Sequence, residues 1–255
     1  MHDSHTSKKS SSSTRHFINA GVLVIISTIV LNWLLDRVLP FPPQASTQSV
    51  IIDQLFRYHV LLIAFLFSLV VVFMLYALVV FRRREGDDGD GDHFEGNTTL
   101  EIFWTTAPMV FVIIFAYLGI TTINKVTQVQ ENEAVVQVEG FQWGWSFTYP
   151  DGMVTDELVL QNNVPVKLEL RSKDVLHSFW VPAFRVKQDL VPGEQNMKEI
   201  RFTPSLEGEY TVRCAEFCGL SHYSMRKNVR VVSETAYKEW YNQELAKINP
   251  ALAKK

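Results

Sequence analysis

The chain changes its polarity pattern halfway along. Three long apolar runs fill the first half: Phe17 to Leu35, His59 to Phe81, and Phe103 to Ile123. The first and third carry no charge, and the second has no Asp, Glu, Lys or Arg after His59. Each has about the 20 residues a helix needs to cross roughly 30 Å of hydrocarbon. None has the polar face of a surface helix on a soluble core. Three membrane helices are therefore predicted. The first run reads as a retained helix, with a cleaved secretory signal as the alternative, since Lys8, Lys9 and Arg15 precede it. From residue 134 short alternating stretches take over. Ala134–Val138, Val164–Leu170, Glu199–Phe202, Gly208–Arg213 and Asn228–Val232 read as strands. Turn signals at Pro150-Asp151-Gly152, Pro192-Gly193 and Glu207-Gly208 separate them. Such spacing predicts a β-sandwich or barrel. A peripheral helix over 234–248, stopped by Pro250, closes the chain.

The expected fold class is a membrane α-helical hairpin, with a possible extra N-terminal helix, followed by an all-β sandwich. The segments are 1–40 (basic start and first apolar helix), 50–124 (hairpin), 125–235 (β domain) and 236–255 (helical tail). Arg82-Arg83-Arg84 directly follows the second run and belongs on the cytoplasmic side. The acidic, Gly-rich stretch 85–100 reads as a mobile turn, and the third run returns outward. The β domain then lies outside the membrane. Net charge is −3, with 24 basic and 27 acidic residues, and gives no reason to expect nucleic-acid binding.

The chemistry concentrates in Arg213-Cys-Ala-Glu-Phe-Cys-Gly-Leu-Ser-His-Tyr-Ser-Met225. It holds the only two cysteines, Cys214 and Cys218, then His222 and Met225. Two thiolates, an imidazole and a thioether are soft donors that suit copper better than magnesium or calcium. A blue-copper site needs one thiolate, so a second suggests two copper ions sharing both sulfurs. His177, in Asp174-Val-Leu-His-Ser-Phe-Trp-Val-Pro182, is the candidate ligand from an earlier strand. Glu216 can add its backbone carbonyl. A Cys214–Cys218 disulfide and a structural zinc site remain alternatives at this point; neither gives Met225 a role.

These motifs resemble those of subunit II of haem–copper cytochrome c oxidases. The resemblance runs from about 50 to 245, through Leu100–Pro108 (LEIFWTTAP), Gly140–Gly152 (GFQWGWSFTYPDG), Asp174–Phe184 (DVLHSFWVPAF), Val186–Gly193 (VKQDLVPG) and the cysteine loop. It implies a cupredoxin-like domain with the binuclear centre CuA, two coppers bound by His177, Cys214, the Glu216 carbonyl, Cys218, His222 and Met225. It further implies magnesium held by the Glu216 side chain at subunit I, electron input at Trp143, and the mouth of a proton path at Glu101. The implied partners are subunit I, subunit III, the lipid bilayer and a cytochrome c or similar donor. Asp151, Asp156, Glu157 and Asp174 are the candidate docking acids, although 124–255 is nearly neutral, with 16 basic and 17 acidic residues. The chain departs from the family at Glu194, where many relatives carry arginine, and no third cysteine serves a fused haem domain. The implied activity is electron input to a terminal oxidase in a bacterial-type cell membrane. A quinol-oxidase-like subunit II and a free-standing copper carrier are the alternatives.

Overall fold

A computed structural model of the chain describes residues 5–86, 89, 93 and 95–248. It divides into two compact units, residues 1–41 with 55–116 and residues 42–54 with 117–255. Three long helices, α1 (His5–Val38), α2 (Thr47–Val80) and α3 (Thr98–Val126), carry the predicted apolar runs. All three are long and apolar enough to cross a membrane. Within the helical unit His16 Nδ1 meets the Tyr76 hydroxyl at 2.8 Å, and His59 packs against Phe115. The expected mobile turn is shorter than read, because Thr98 already opens α3. Its positions 87, 88, 90–92 and 94 lie outside the described residues, as does Pro250.

Helix α2 starts twelve residues before its apolar run, and the reason is a polar anchor within the second unit. Ser46 caps the helix: its Oγ accepts from Ser49 N at 3.0 Å, and the Ser49 side chain returns to Ser46. Ser46 Oγ also donates to the Phe184 carbonyl at 2.8 Å. The backbone N–H of Thr203 donates to Gln48 Oε1 at 2.9 Å. Deeper in, the Arg185 guanidinium grips buried Asp53 through two bonds of 2.7 and 2.8 Å, while its remaining donors reach the Pro182 and Pro42 carbonyls. Gln44 donates to the same carboxylate.

The β domain is a two-sheet sandwich. Its strands are β1 (Ala134–Phe141), β2 (Gly144–Thr148), β3 (Val154–Thr155), β4 (Leu158–Gln161), β5 (Val166–Ser172), β6 (His177–Val181), β7 (Val186–Leu190), β8 (Lys198–Phe202), β9 (Gly208–Cys214) and β10 (Arg226–Val232). One sheet runs β3-β2-β1-β5-β8 and the other β4-β10-β9-β6-β7. Alternation reads correctly on β5, where Val166, Leu168 and Leu170 are buried between half-exposed neighbours. The core between the sheets includes Trp145, Phe147, Phe179, Phe184 and Phe202. The C-terminal helix α4 (Glu234–Ile248) is less peripheral than expected. Trp240 and Tyr241 pack on Tyr149, whose hydroxyl bridges the Val159 N–H and carbonyl.

Asp53→Ala strands the Arg185 charge in a nearly buried site, where losing one partner of a buried pair costs about 3 kcal/mol or more. Chemical denaturation of the detergent-solubilised protein, followed by near-ultraviolet circular dichroism, is expected to show that loss.

Candidate metal centre

Strand ends carry the donor groups. His177 opens β6, Cys214 closes β9, and Met225 immediately precedes β10. Phe179 pairs with Cys214 across β6 and β9, so the hydrogen-bond ladder itself sets His177 beside the cysteine loop. His177 is thus a strand residue, the first of β6. Its ring is fully buried and packs edge-on against Trp145. Gly140 lies close beneath: a Cβ there would sit 3.3 Å from the imidazole and 3.2 Å from Trp145.

Six donor atoms converge. Cys214 Sγ lies 3.7 Å from Cys218 Sγ, 3.8 Å from His177 Nδ1 and 3.2 Å from the Glu216 carbonyl. Cys218 Sγ lies 3.5 Å from His222 Nδ1 and 3.7 Å from Met225 Sδ. Both cysteines are free thiols, since a disulfide needs its sulfurs about 2.0 Å apart. A metal–ligand bond of roughly 2.0–2.3 Å lets one ion span donors up to about 4.6 Å apart. Each of these neighbouring donor pairs falls within that reach, and the two sulfurs stand where they can bridge. The set therefore fits soft, thiolate-bound copper. A lone zinc with two Cys and two His would leave Met225, at 1% exposure, as mere packing.

Asp174 orients the centre. Its carboxylate accepts from His177 Nε2 at 2.7 Å and from the backbone N–H groups of Gln142 and Val175 at 2.7 and 2.6 Å. With Nε2 donating, Nδ1 keeps its lone pair for a metal. Burial acts to raise the Asp174 pKa, but the hydrogen bonds from Gln142, His177 and Val175 outweigh it and hold the carboxyl below its usual range. Asp174-x-x-His177 was the sequence signal for this role, which a reading of Asp174 as a docking acid overlooked.

The other candidate residues fall into distinct settings. Trp143 is half-exposed and donates from Nε1 to the Cys218 carbonyl at 3.2 Å; Gln142 Nε2 reaches the same oxygen at 2.8 Å. Gly219, at a left-handed φ of 115°, leaves room for that indole. The Glu216 carboxylate pairs at 3.2 Å with Lys187, which also binds Asp189. Glu101 lies in the first turn of α3 and accepts from Asn97 N, a cap contact. The remaining docking candidates all have partners: Asp156 with Lys227, Glu157 with Arg230 through two bonds, and Asp151 with the Tyr241 hydroxyl.

Comparison with known proteins places these features in context. Residues 31–121 match the family model described as the transmembrane domain of cytochrome c oxidase subunit II, and 152–232 match that of its periplasmic domain. Cytochrome c oxidase subunit 2 of Thermostichus vulcanus is 32% identical over 90% of this chain and 85% of its own. The same subunit of Cereibacter sphaeroides is 31% identical over 83% and 84%. The solved periplasmic domain of cytochrome oxidase subunit II of Bradyrhizobium japonicum is 28% identical, with a TM-score of 0.43, covering 47% of this chain and 99% of that one.

Asp174→Ala is expected to lower metal affinity by about 10- to 100-fold, the usual cost of losing a ligand-orienting partner; chelator competition measures it. A second expectation concerns pH. Burial, and secondarily the neighbouring Cys214, pushes the Cys218 thiol up to about 12. An unfolded cysteine ionises near about 8.5. Between those values the unfolded chain has lost a proton that the folded chain keeps, so stability falls as pH rises. Copper-depleted protein should melt at a lower temperature at pH of about 9.5 than at about 7.5, and Cys218→Ser should flatten that slope.

Proposed function

The chain belongs to the cytochrome c oxidase subunit II family, and from that membership we propose that it is the electron-input subunit of a terminal respiratory oxidase. It is a membrane protein with an extracytoplasmic C-terminal domain. In this reading it accepts electrons from a cytochrome c, or a similar small donor, at a binuclear CuA centre. It delivers them to haem in subunit I, where oxygen is reduced to water with proton pumping. The convergence of Cys214 and Cys218 on His177, His222, Met225 and the Glu216 carbonyl carries the proposal. A quinol-oxidase-like subunit has no use for that donor set, and a free-standing copper carrier has none for the membrane helices.

Copper held by His177, Cys214, the Glu216 carbonyl, Cys218, His222 and Met225 would supply a one-electron relay. The protein's part is to hold its donors still. The β6–β9 ladder fixes His177 and Cys214, and the short Cys214–Met225 loop closes between β9 and β10. Asp174 fixes the His177 ring and its tautomer. Trp145, Phe179 and Met225 exclude water, which limits reorganisation around the donors. Trp143 offers an indole that is open to solvent and bonded to the Cys218 carbonyl, which supports its role as the point where electrons arrive.

The Glu216 side chain, which here pairs with Lys187, would supply an oxygen ligand for magnesium at the subunit I contact. Subunit I and subunit III complete the assembly. Glu101 marks the mouth of a proton path into subunit I, and full turnover in a Glu101→Ala oxidase would remove that role.

The full-length chain purified in detergent is expected to hold two coppers and to give a paramagnetic resonance signal with hyperfine coupling to both nuclei. A single zinc, or no metal, would overturn the proposal. Trp143→Phe should slow reduction by the donor while leaving that signal unchanged.

A further inference from the structure

The outer ends of α1 and α2 enclose a cavity of about 450 Å³ that electron transfer does not use. Pockets for small ligands run from roughly 300 to 1,000 Å³. Asn32, Asp36, Leu39 and Phe41 line it from α1 and the residues that follow, and Phe56 and Arg57 line it from α2. All of them belong to the helical unit. Phe41 and Phe56 meet edge-on, with ring centroids 6.0 Å apart.

The helix register sets the depth of this cavity. The His16–Tyr76 bond ties α1 to α2 near their cytoplasmic ends. Twenty residues on from His16 stands Asp36, and twenty back from Tyr76 stands Phe56, with Arg57 next to it. Arg57 lies two residues outside the apolar run that opens at His59. Asp36 and Arg57 therefore share one level, the outer boundary between water and hydrocarbon. At that level an arginine lays its stem along apolar surface and holds its guanidinium among headgroups.

The two charges are of opposite sign, and neither Asp36 nor Arg57 has a hydrogen-bond or ion-pair partner among the described residues. A ligand that satisfies both must carry an anion and a cation on a short linker, with hydrocarbon behind them. An ethanolamine phospholipid has that chemistry. Its phosphate takes paired N–H bonds from the planar guanidinium. Its primary ammonium donates to Asp36. Its acyl chains lie along Leu39, Phe41 and Phe56. A choline headgroup has no N–H to donate, and a glycerol headgroup leaves Asp36 facing an uncompensated phosphate. Charged pockets between membrane helices are established headgroup sites in other proteins.

We propose that this cavity binds one phosphatidylethanolamine of the outer leaflet, which bridges α1 to α2 through Asp36 and Arg57.

Native mass spectrometry of the full-length chain in detergent tests the site. The probes are phosphatidylethanolamine, phosphatidylcholine and phosphatidylglycerol with matched acyl chains. The ethanolamine lipid is expected to bind about tenfold or more tighter than either of the others, as one added charge-assisted hydrogen bond allows. Arg57→Gln should weaken it by about tenfold or more. Asp36→Asn should keep binding through the phosphate but remove most of the preference for ethanolamine over glycerol. Both side chains are exposed, so neither substitution leaves a gap in a packed core. The ranking of the three lipids on the wild-type chain stands as a test even if a variant fails to fold.

Equal affinity for the three lipids would overturn the proposal, because Arg57 would then meet only bulk headgroups. Tighter binding of phosphatidylglycerol would overturn it in favour of a plain contact between cation and phosphate. Unaltered binding in Arg57→Gln would overturn it as well. The same spectra give the intact mass of the chain, and a mature chain that lacks α1 would remove the site altogether.

Discussion

Two thiols held 3.7 Å apart beneath the protein surface set the terms for the rest of the β domain. Cys218 cannot ionise cheaply, because burial disfavours its thiolate and the neighbouring Cys214 pushes the same way. A soft cation removes both costs at once, and two such cations can share both sulfurs. The fold has already met the demands of that arrangement. The hydrogen-bond ladder between β6 and β9 brings in one imidazole, the loop brings the other, and Met225 closes the buried side. Asp174 then makes His177 a ligand by holding the proton on the far nitrogen. These contacts serve one purpose, which is to keep soft donors in place while charge changes.

The same rigidity explains the anchor at the start of α2. Arg185 stands at the end of the turn that joins β6, which His177 opens, to β7, and its guanidinium is tied to Asp53 and to the Pro182 and Pro42 carbonyls. Residues 42–54 therefore belong to the β domain as much as to a helix. A polar pair so well satisfied is costly to break from one side, yet it adds little net stability over an apolar contact. Its value lies in fixing one geometry at the edge of the strand pair that carries the metal ligand.

Much of this was legible in the chain because the signals are local. The apolar runs need only length, and Cys214 to Met225 needs only spacing. What stayed hidden is non-local. Strand β6 escaped because four of its five residues are buried, leaving no alternation to read. Strand β4 is buried at Leu158, Val159 and Leu160 for the same reason. The early start of α2 depends on Arg185, 132 residues away from Asp53. Asp156 and Glu157 look like free docking charges until β10 brings Lys227 and Arg230 beside them from 71 and 73 residues along the chain. Charge counted along a sequence is therefore a poor guide to charge presented by a surface.

That last point bears on how an electron-transfer surface is built. A carboxylate ring speeds encounter but leaves the complex sensitive to ionic strength. Pairing Asp156 with Lys227 and Glu157 with Arg230 leaves fewer free carboxylates to steer an encounter. Phe217, Leu220 and Tyr223 stand further into solvent than any membrane-facing apolar side chain among the described residues, although their loop is anchored at both ends by buried donors. Their exposure follows from the metal loop itself. Cys214, Cys218, His222 and Met225 turn inward to the centre, so the residues between them must turn outward. The outward set and the inward set are therefore held in one fixed relation by a single twelve-residue loop.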